Sequence, residues 1–175
     1  MAVNLKKHIR EVPDFPKPGI NFKDITTLLR DKKAFKDAVD QLYLQAKKLK
    51  IDAIAVIESR GFPFGSALAY KMGVGVILVR KPNKLPAKTV KQTYALEYGA
   101  DSLEIHADAV KKGQKVLIVD DLLATGGTAL AVAKLVEKLG GQVAGLAFVV
   151  ELDFLKGKDK LKKYKVISLV HYDAE

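Results

Sequence analysis

Strand-length apolar runs alternate with helix-spaced segments along this chain, and that alternation limits the fold more than any other feature. The runs fall at residues 52–58 (DAIAVIE), 75–80 (GVILVR), 114–121 (QKVLIVDD), 142–151 (QVAGLAFVVE) and 164–170 (YKVISLV). Between them, residues 31–50 repeat Phe35, Ala38, Val39, Leu42, Ala46 and Leu49 at three- and four-residue spacing, which predicts an amphipathic helix. Further helices are predicted at residues 61–72, closed by Gly73, and at residues 128–139, ending at Gly140-Gly141. Near-continuous apolar strands separated by helices make a parallel sheet covered on both faces, an α/β fold. All five runs, 75–80 included, read as buried strands. Residues 81–92 hold two prolines and four lysines and read as a loop with weak internal structure. TYALEYG and DSLEIHAD read as a strand pair turning at Gly99-Ala100.

Ligands in such sheets bind beyond the carboxyl ends of the strands. Four ends carry chemistry: Glu58-Ser59-Arg60-Gly61, Arg80-Lys81, Asp120-Asp121 and Glu151-Leu152-Asp153. The third opens the stretch VLIVDDLLATGGT, residues 116–128. Glycines entering a helix let backbone N–H groups close around an anion, with the helix dipole behind them. Thr125 and Thr128 add hydroxyls. Asp120 and Asp121 would repel that same anion, so the ligand must carry a second, different end. A ribose 5-phosphate fits: the phosphate in the cradle, the 2′,3′-diol donating to the carboxylates, which can also orient the hydration shell of Mg²⁺. The stretch lacks the Lys-Ser/Thr of a nucleoside triphosphate loop and the Gly-x-Gly-x-x-Gly of a dinucleotide site.

Bulk composition excludes more than it assigns. The 175 residues suit a single domain, and 49% hydrophobic content argues against disorder. No apolar run reaches bilayer length and the N-terminus lacks a signal-peptide core, so no membrane partner is expected. The chain has no cysteine, which suits a reducing cytoplasm. The net charge of +10 favours anionic partners, but the lysines are spread, and QAKKLK reads as a solvated helix face. With 7% aromatics and no Trp there is no stacking platform for single strands, and no specific nucleic acid is expected. His8, His106 and His171 match no metal or triad spacing and read as structural.

VLIVDDLLATGGT resembles the ribose-phosphate loop of the type I phosphoribosyltransferases, which use 5-phosphoribosyl-1-diphosphate (PRPP). PDFPKPGINFKDITTLL (13–29), IESRGFPFGSALA (57–69), VRKPNKLP (79–86) and YALEYG (94–99) resemble, in the same order, the adenine-specific members of that family. The likeness spans residues 12–161. It implies a central parallel sheet flanked by helices, a small N-terminal hood (1–30) and a flexible two-stranded lid loop (81–98), all in one domain (1–175).

The resemblance also implies roles. Asp120 and Asp121 would bind the PRPP diol, and Ala124, Thr125, Gly126, Gly127 and Thr128 its 5-phosphate. Ser59 and Arg60 would hold the pyrophosphate, with Lys81 and Lys84 from the lid, and the Glu58–Ser59 peptide would be cis. Phe22 would stack on the purine while the Asn21 carbonyl and the Lys23 N–H meet its edge. One fixed C=O and one fixed N–H accept adenine and leave a 6-oxopurine with unpaired groups. Glu97 would be the catalytic carboxylate, accepting from purine N7–H, with Tyr98 helping to close the site. The implied reaction takes adenine and PRPP to AMP and pyrophosphate in purine salvage. Mg²⁺ would be carried by PRPP, with no direct protein ligand, and the assembly would be a homodimer in the cytoplasm. A phosphoribosyltransferase for hypoxanthine, xanthine or orotate, and a PRPP-sensing regulator that binds nucleic acid, are the alternatives.

Overall fold

A computed structural model describes residues 3–95 and 100–174. After a 3-10 turn at Leu5–His8 come β1 (Arg10–Val12), β2 (Phe22–Asp24), α1 (Thr26–Arg30), α2 (Lys32–Ala46), β3 (Ala53–Ile57), α3 (Gly61–Met72) and β4 (Gly75–Val79). Then follow β5 (Thr89–Ala95), β6 (Ala100–His106), β7 (Lys115–Leu123), α4 (Gly127–Lys138), β8 (Gln142–Leu152), two 3-10 turns at Asp153–Leu155 and Gly157–Leu161, and β9 (Val166–Tyr172). The five predicted runs form one parallel sheet in the order β4-β3-β7-β8-β9. β1 pairs with β2, and β5 with β6, as separate antiparallel ribbons.

Strand periodicity divides the core in two. Ile54, Val56, Leu117 and Val119 face α2 and α3, packing with Leu42, Phe64 and Leu68. Their neighbours Ala55, Ile57, Val116 and Ile118 face α4 and the β5–β6 ribbon, packing with Val132, Val136, Leu103 and Ile105. Both faces of the sheet are covered along its central strands β3, β7 and β8, as expected from their apolar runs.

Three features differ from expectation. α2 stops at Ala46 instead of running to residue 50; a turn follows, and Leu49 still packs on the core from it. Its start is sharp because the Asp31 carboxylate accepts from the N–H groups of Lys33 and Ala34 at 2.9 Å. β4 is not a buried strand. It is the sheet's edge, with Val76 and Leu78 41% and 44% exposed while Ile77 and Val79 are buried. The loop expected at 81–92 has structure at both ends. Arg80 exchanges backbone hydrogen bonds with Glu104, and residues from Thr89 onward already belong to β5. Within residues 1–30, which the resemblance assigns to a hood, the chain forms the 3-10 turn, the β1–β2 ribbon and α1.

Candidate active site

β3 and β7 are neighbours, so their carboxyl ends deliver two chemically different segments side by side. From β3 come Glu58, a cis peptide to Ser59 as expected, and Arg60 at the start of α3. From β7 come Asp120 and Asp121, followed by the turn into α4. Together with Lys81 and Tyr94 they wall a cavity of about 300 Å³. Ala124, Thr125, Gly126, Gly127 and Thr128 line it as one continuous arc. The first N–H groups of α4 have no partner within the helix, so this arc has the chemistry of an anion cradle.

The cradle is held from behind. Gly126 has φ +77°, and a Cβ placed on it would lie 2.4 Å from the carbonyl oxygen of Gly157. Gly157, which opens the 3-10 turn after β8, has the reciprocal fit: its Cβ would stand 2.1 Å from the Ala124 carbonyl oxygen. Two glycines 31 positions apart therefore let the two backbones touch. Nothing local in GKDKL signals this.

The paired aspartates are the electrostatic centre. Asp121 is buried, and its Oδ2 lies 3.0 Å from Arg60 Nε. Asp120 Oδ1 accepts from the Asp121 N–H at 2.9 Å. Burial pushes both carboxyls above the usual aspartate range. For Asp120 the adjacent Asp121 charge adds to the rise, whereas for Asp121 the Arg60 guanidinium opposes it. A site that holds two carboxylates against their preference awaits hydrogen-bond donors or positive charge. The two carboxyl groups can accept from the waters of a hard cation that takes its oxygen ligands from a phosphate-bearing ligand and from water, without ligating it directly. That fits Mg²⁺ carried on a polyphosphate.

Lys81 lines the same cavity and is ion-paired to Asp101 on β6. The Tyr94 hydroxyl donates to Asp101 Oδ2 at 3.3 Å and accepts from the Thr128 hydroxyl at 3.3 Å. A chain of contacts thus runs from Lys81 through Asp101 and Tyr94 to Thr128. Tyr94 and Asp101 had no assigned role in the sequence. The signal was nonlocal but available: once β5 and β6 pair with Ala95 opposite Ala100, Tyr94 falls opposite Asp101. Glu58 also faces the cavity, held by Arg80 (3.1 and 3.2 Å) and the Lys81 N–H (2.8 Å). Lys84 and Ser59 are exposed and do not line the cavity; Lys84 lends its carbonyl to Arg80 at 3.3 Å.

Asn21, Phe22 and Lys23 do not line this cavity, but Phe22 touches its wall. The Arg60 guanidinium lies 5.0 Å from the centroid of the Phe22 ring, and Phe15 meets the same ring edge-on at 5.2 Å. Asn21 donates to Glu11 at 2.9 Å, and the Lys23 side chain is buried. Glu97, Tyr98 and Gly99, the last expected to share a turn with Ala100, lie outside the described residues, and Ala100 itself opens β6. The histidines have local partners: Asp31 for His8, the Ala87 N–H for His106, Asp153 for His171. Glu151, Asp153 and His171 do converge, with one ligand atom each within 4.8 Å. The Lys158 ammonium sits 2.8 Å from Glu151 Oε2 and already supplies the positive charge there.

The phosphoribosyl transferase domain family matches residues 23–173. A Clostridium perfringens protein named adenine phosphoribosyltransferase is 60% identical over 172 residues, covering 98% of this chain and 100% of that protein. The crystal structure of adenine phosphoribosyltransferase from Thermoanaerobacter pseudethanolicus superimposes with a TM-score of 0.94 at 58% identity, covering 96% and 98% of the two chains. The Saccharomyces cerevisiae enzyme, solved with an imino-altritol bisphosphate and adenine, gives 0.88 at 44% identity over 94% and 96%.

Proposed function

The chain belongs to the phosphoribosyl transferase family and, within it, to the adenine phosphoribosyltransferases, and from that premise we propose which of its residues carry the reaction. The enzyme transfers the 5-phosphoribosyl group of PRPP to N9 of adenine, releasing AMP and pyrophosphate. The observation that carries the residue assignment is the single cavity in which the arc 124–128, the Asp120–Asp121 pair and Arg60 meet. The arc takes the 5-phosphate. The aspartates accept the 2′,3′-diol, which relieves the burial of their charge. Arg60, with Ser59, takes the pyrophosphate, and Lys81 and Lys84 reach it from the lid once Lys81 leaves Asp101. Asp120 and Asp121 would orient the hydration shell of Mg²⁺ carried on PRPP, and the ion would supply positive charge to the leaving pyrophosphate. Phe22 stacks on adenine, the Asn21 carbonyl and Lys23 N–H read its edge, and Glu97 accepts from N7–H so that the N9 lone pair attacks C1′. Inversion at C1′ passes through an oxocarbenium-like state, and a closed lid keeps water from it.

The same reading includes a homodimer. The exposed apolar edge formed by Val76 and Leu78 on β4, next to Arg80 and Lys81, is the surface that supports it. Among the described residues no helix is long and apolar enough to cross a membrane, and we place the enzyme in the cytoplasm.

Turnover with PRPP, Mg²⁺ and each of adenine, hypoxanthine, guanine, xanthine and orotate tests the assignment. Adenine alone is expected to give a nucleotide. Preference for another base would overturn the backbone readout at Asn21 and Lys23. PRPP binding without turnover on any base would favour the regulator. A second test follows from the raised carboxyls. Protonation removes an acceptor from the diol site, so PRPP affinity is expected to fall as pH drops, starting above the usual aspartate range. Calorimetric titration across pH checks this, and Asp120→Asn should flatten the dependence. An unchanged slope in that variant would mean that PRPP's own phosphates titrate instead.

A further inference from the structure

We infer that Glu11, Lys23 and Tyr172 form a brace behind the base-binding strand and act as positioning residues for adenine. The inference rests on the reading of Asn21, Phe22 and Lys23 as the base-binding segment. In the β1–β2 ribbon Glu11 lies opposite Lys23, and Val12 opposite Phe22. Side chains alternate along a strand, so Lys23 projects from the face opposite to Phe22. There its side chain is only 2% exposed. A buried ammonium needs partners, and Lys23 has two. Glu11 Oε1 lies 3.3 Å from its Nζ, and the ring of Tyr172 is 4.6 Å away at the centroid.

Each partner ties the hood to something else. The other oxygen of Glu11, Oε2, accepts from Asn21 Nδ2 at 2.9 Å. One carboxylate therefore grips the residues on both sides of Phe22. Tyr172 is 5% exposed and ends β9, so its ring is fixed by the central sheet. Lys6 covers that ring too, at 4.2 Å, while donating to the His171 carbonyl at 2.8 Å. Two lysines of the N-terminal segment thus clamp one aromatic ring of the last strand. Lys23, the residue whose backbone would read adenine, makes one of the contacts between hood and sheet, beside those of Lys6, Leu5, Ile9, Ile25 and Leu28. Loosening it should let the ribbon tilt and misplace Phe22 and the two edge groups together. The phosphate cradle, carried by β7 and α4, would not move.

Steady-state kinetics with adenine and PRPP varied separately test this, with folding of each variant checked by thermal melting. Lys23→Met and Tyr172→Leu are expected to raise KM for adenine about tenfold, the size of one desolvated cation–π contact. KM for PRPP should stay within about twofold in both, because the cradle is untouched. Tyr172→Phe keeps the ring and should restore the adenine KM. Glu11→Ala removes a half-exposed carboxylate and carries the test if a core variant fails to fold; its adenine KM should rise in the same direction. Equal rises in both KM values, or an unchanged adenine KM in Glu11→Ala and Tyr172→Leu, overturn the inference. Phe22→Ala separates the two levels. If it raises the adenine KM while the brace variants do not, the brace alone is wrong. If it leaves that KM unchanged, the base-binding assignment fails and the brace falls with it.

Discussion

Gly157→Ala is expected to weaken PRPP binding roughly 10- to 100-fold, the equivalent of about 1–3 kcal/mol of overpacking. The substitution adds one methyl group at a position outside every recognised motif. That methyl would stand 2.1 Å from the Ala124 carbonyl oxygen, 3.0 Å from its carbon and 3.1 Å from the Gly126 nitrogen. All three are backbone atoms, so no rotamer change relieves the clash. Either the 3-10 turn or the cradle must move. The turn is anchored by buried Leu161, which packs with α4 residues in the core, so the cradle is the part that yields. Displaced N–H groups no longer converge on the 5-phosphate, and misplacement of about 1 Å already reduces rates strongly. Adenine affinity should change little, and the melting temperature should fall. Isothermal titration with PRPP and Mg²⁺ reads the effect. Wild-type affinity in a folded Gly157→Ala protein would show that the arc 124–128 is not the phosphate site.

The contrast between that glycine and the motifs shows what kind of information the sequence held. The sheet was legible because each strand is an uninterrupted apolar run, which a strand buried on both faces requires. The same cue misled at β4. Its residues are Gly75, Val76, Ile77, Leu78 and Val79, and exposure alternates from Val76 to Val79 while hydropathy does not. Edge position comes from strand order, which no single run encodes. The hood was illegible for a different reason: strands of three residues are too short to show a period. At the site, residues close in sequence were readable as a group, since one strand–turn–helix segment, the end of β7 into α4, supplies both aspartates and the cradle. Their supports were not. Arg60 against Asp121, Tyr94 between Thr128 and Asp101, and Gly157 under Ala124 are all meetings of distant segments. Resemblance supplied the roles of Phe22 and Arg60, but not the contact of 5.0 Å that joins them. On the proposed assignment, that contact would link the pyrophosphate end of the site to the base end through one guanidinium, whose Nε also meets Asp121.

Asp120→Asn should separate stability from function at this site. In the folded protein burial raises the Asp120 carboxyl above its ordinary range, and the neighbouring Asp121 charge raises it further. A carboxyl raised on folding contributes fully below its unfolded pKa, and that contribution is lost as pH rises through the folded value. Above that folded value the ionised carboxylate therefore weighs against the folded state. Asparagine keeps the size and can still accept from the Asp121 N–H, as Asp120 Oδ1 does at 2.9 Å. It removes the charge that burial and Asp121 both oppose. The ligand-free variant is expected to gain about 1 kcal/mol, a rise of roughly 2–4 °C in melting temperature for a chain of this size. PRPP should bind roughly 10- to 100-fold more weakly, because a charged acceptor for the diol is replaced by a neutral one. The gain should shrink as pH is lowered, since the wild-type carboxyl then takes up its proton and loses the same repulsion. Melting curves at neutral and acidic pH, run with and without PRPP and Mg²⁺, read both effects in one experiment. A variant that melts lower without ligand would mean that the Asp120 charge supports the fold. A variant that keeps full PRPP affinity would remove it from the diol site. The expected pairing, a firmer protein with a weaker grip on PRPP, would identify the charge as one that the site retains for its substrate.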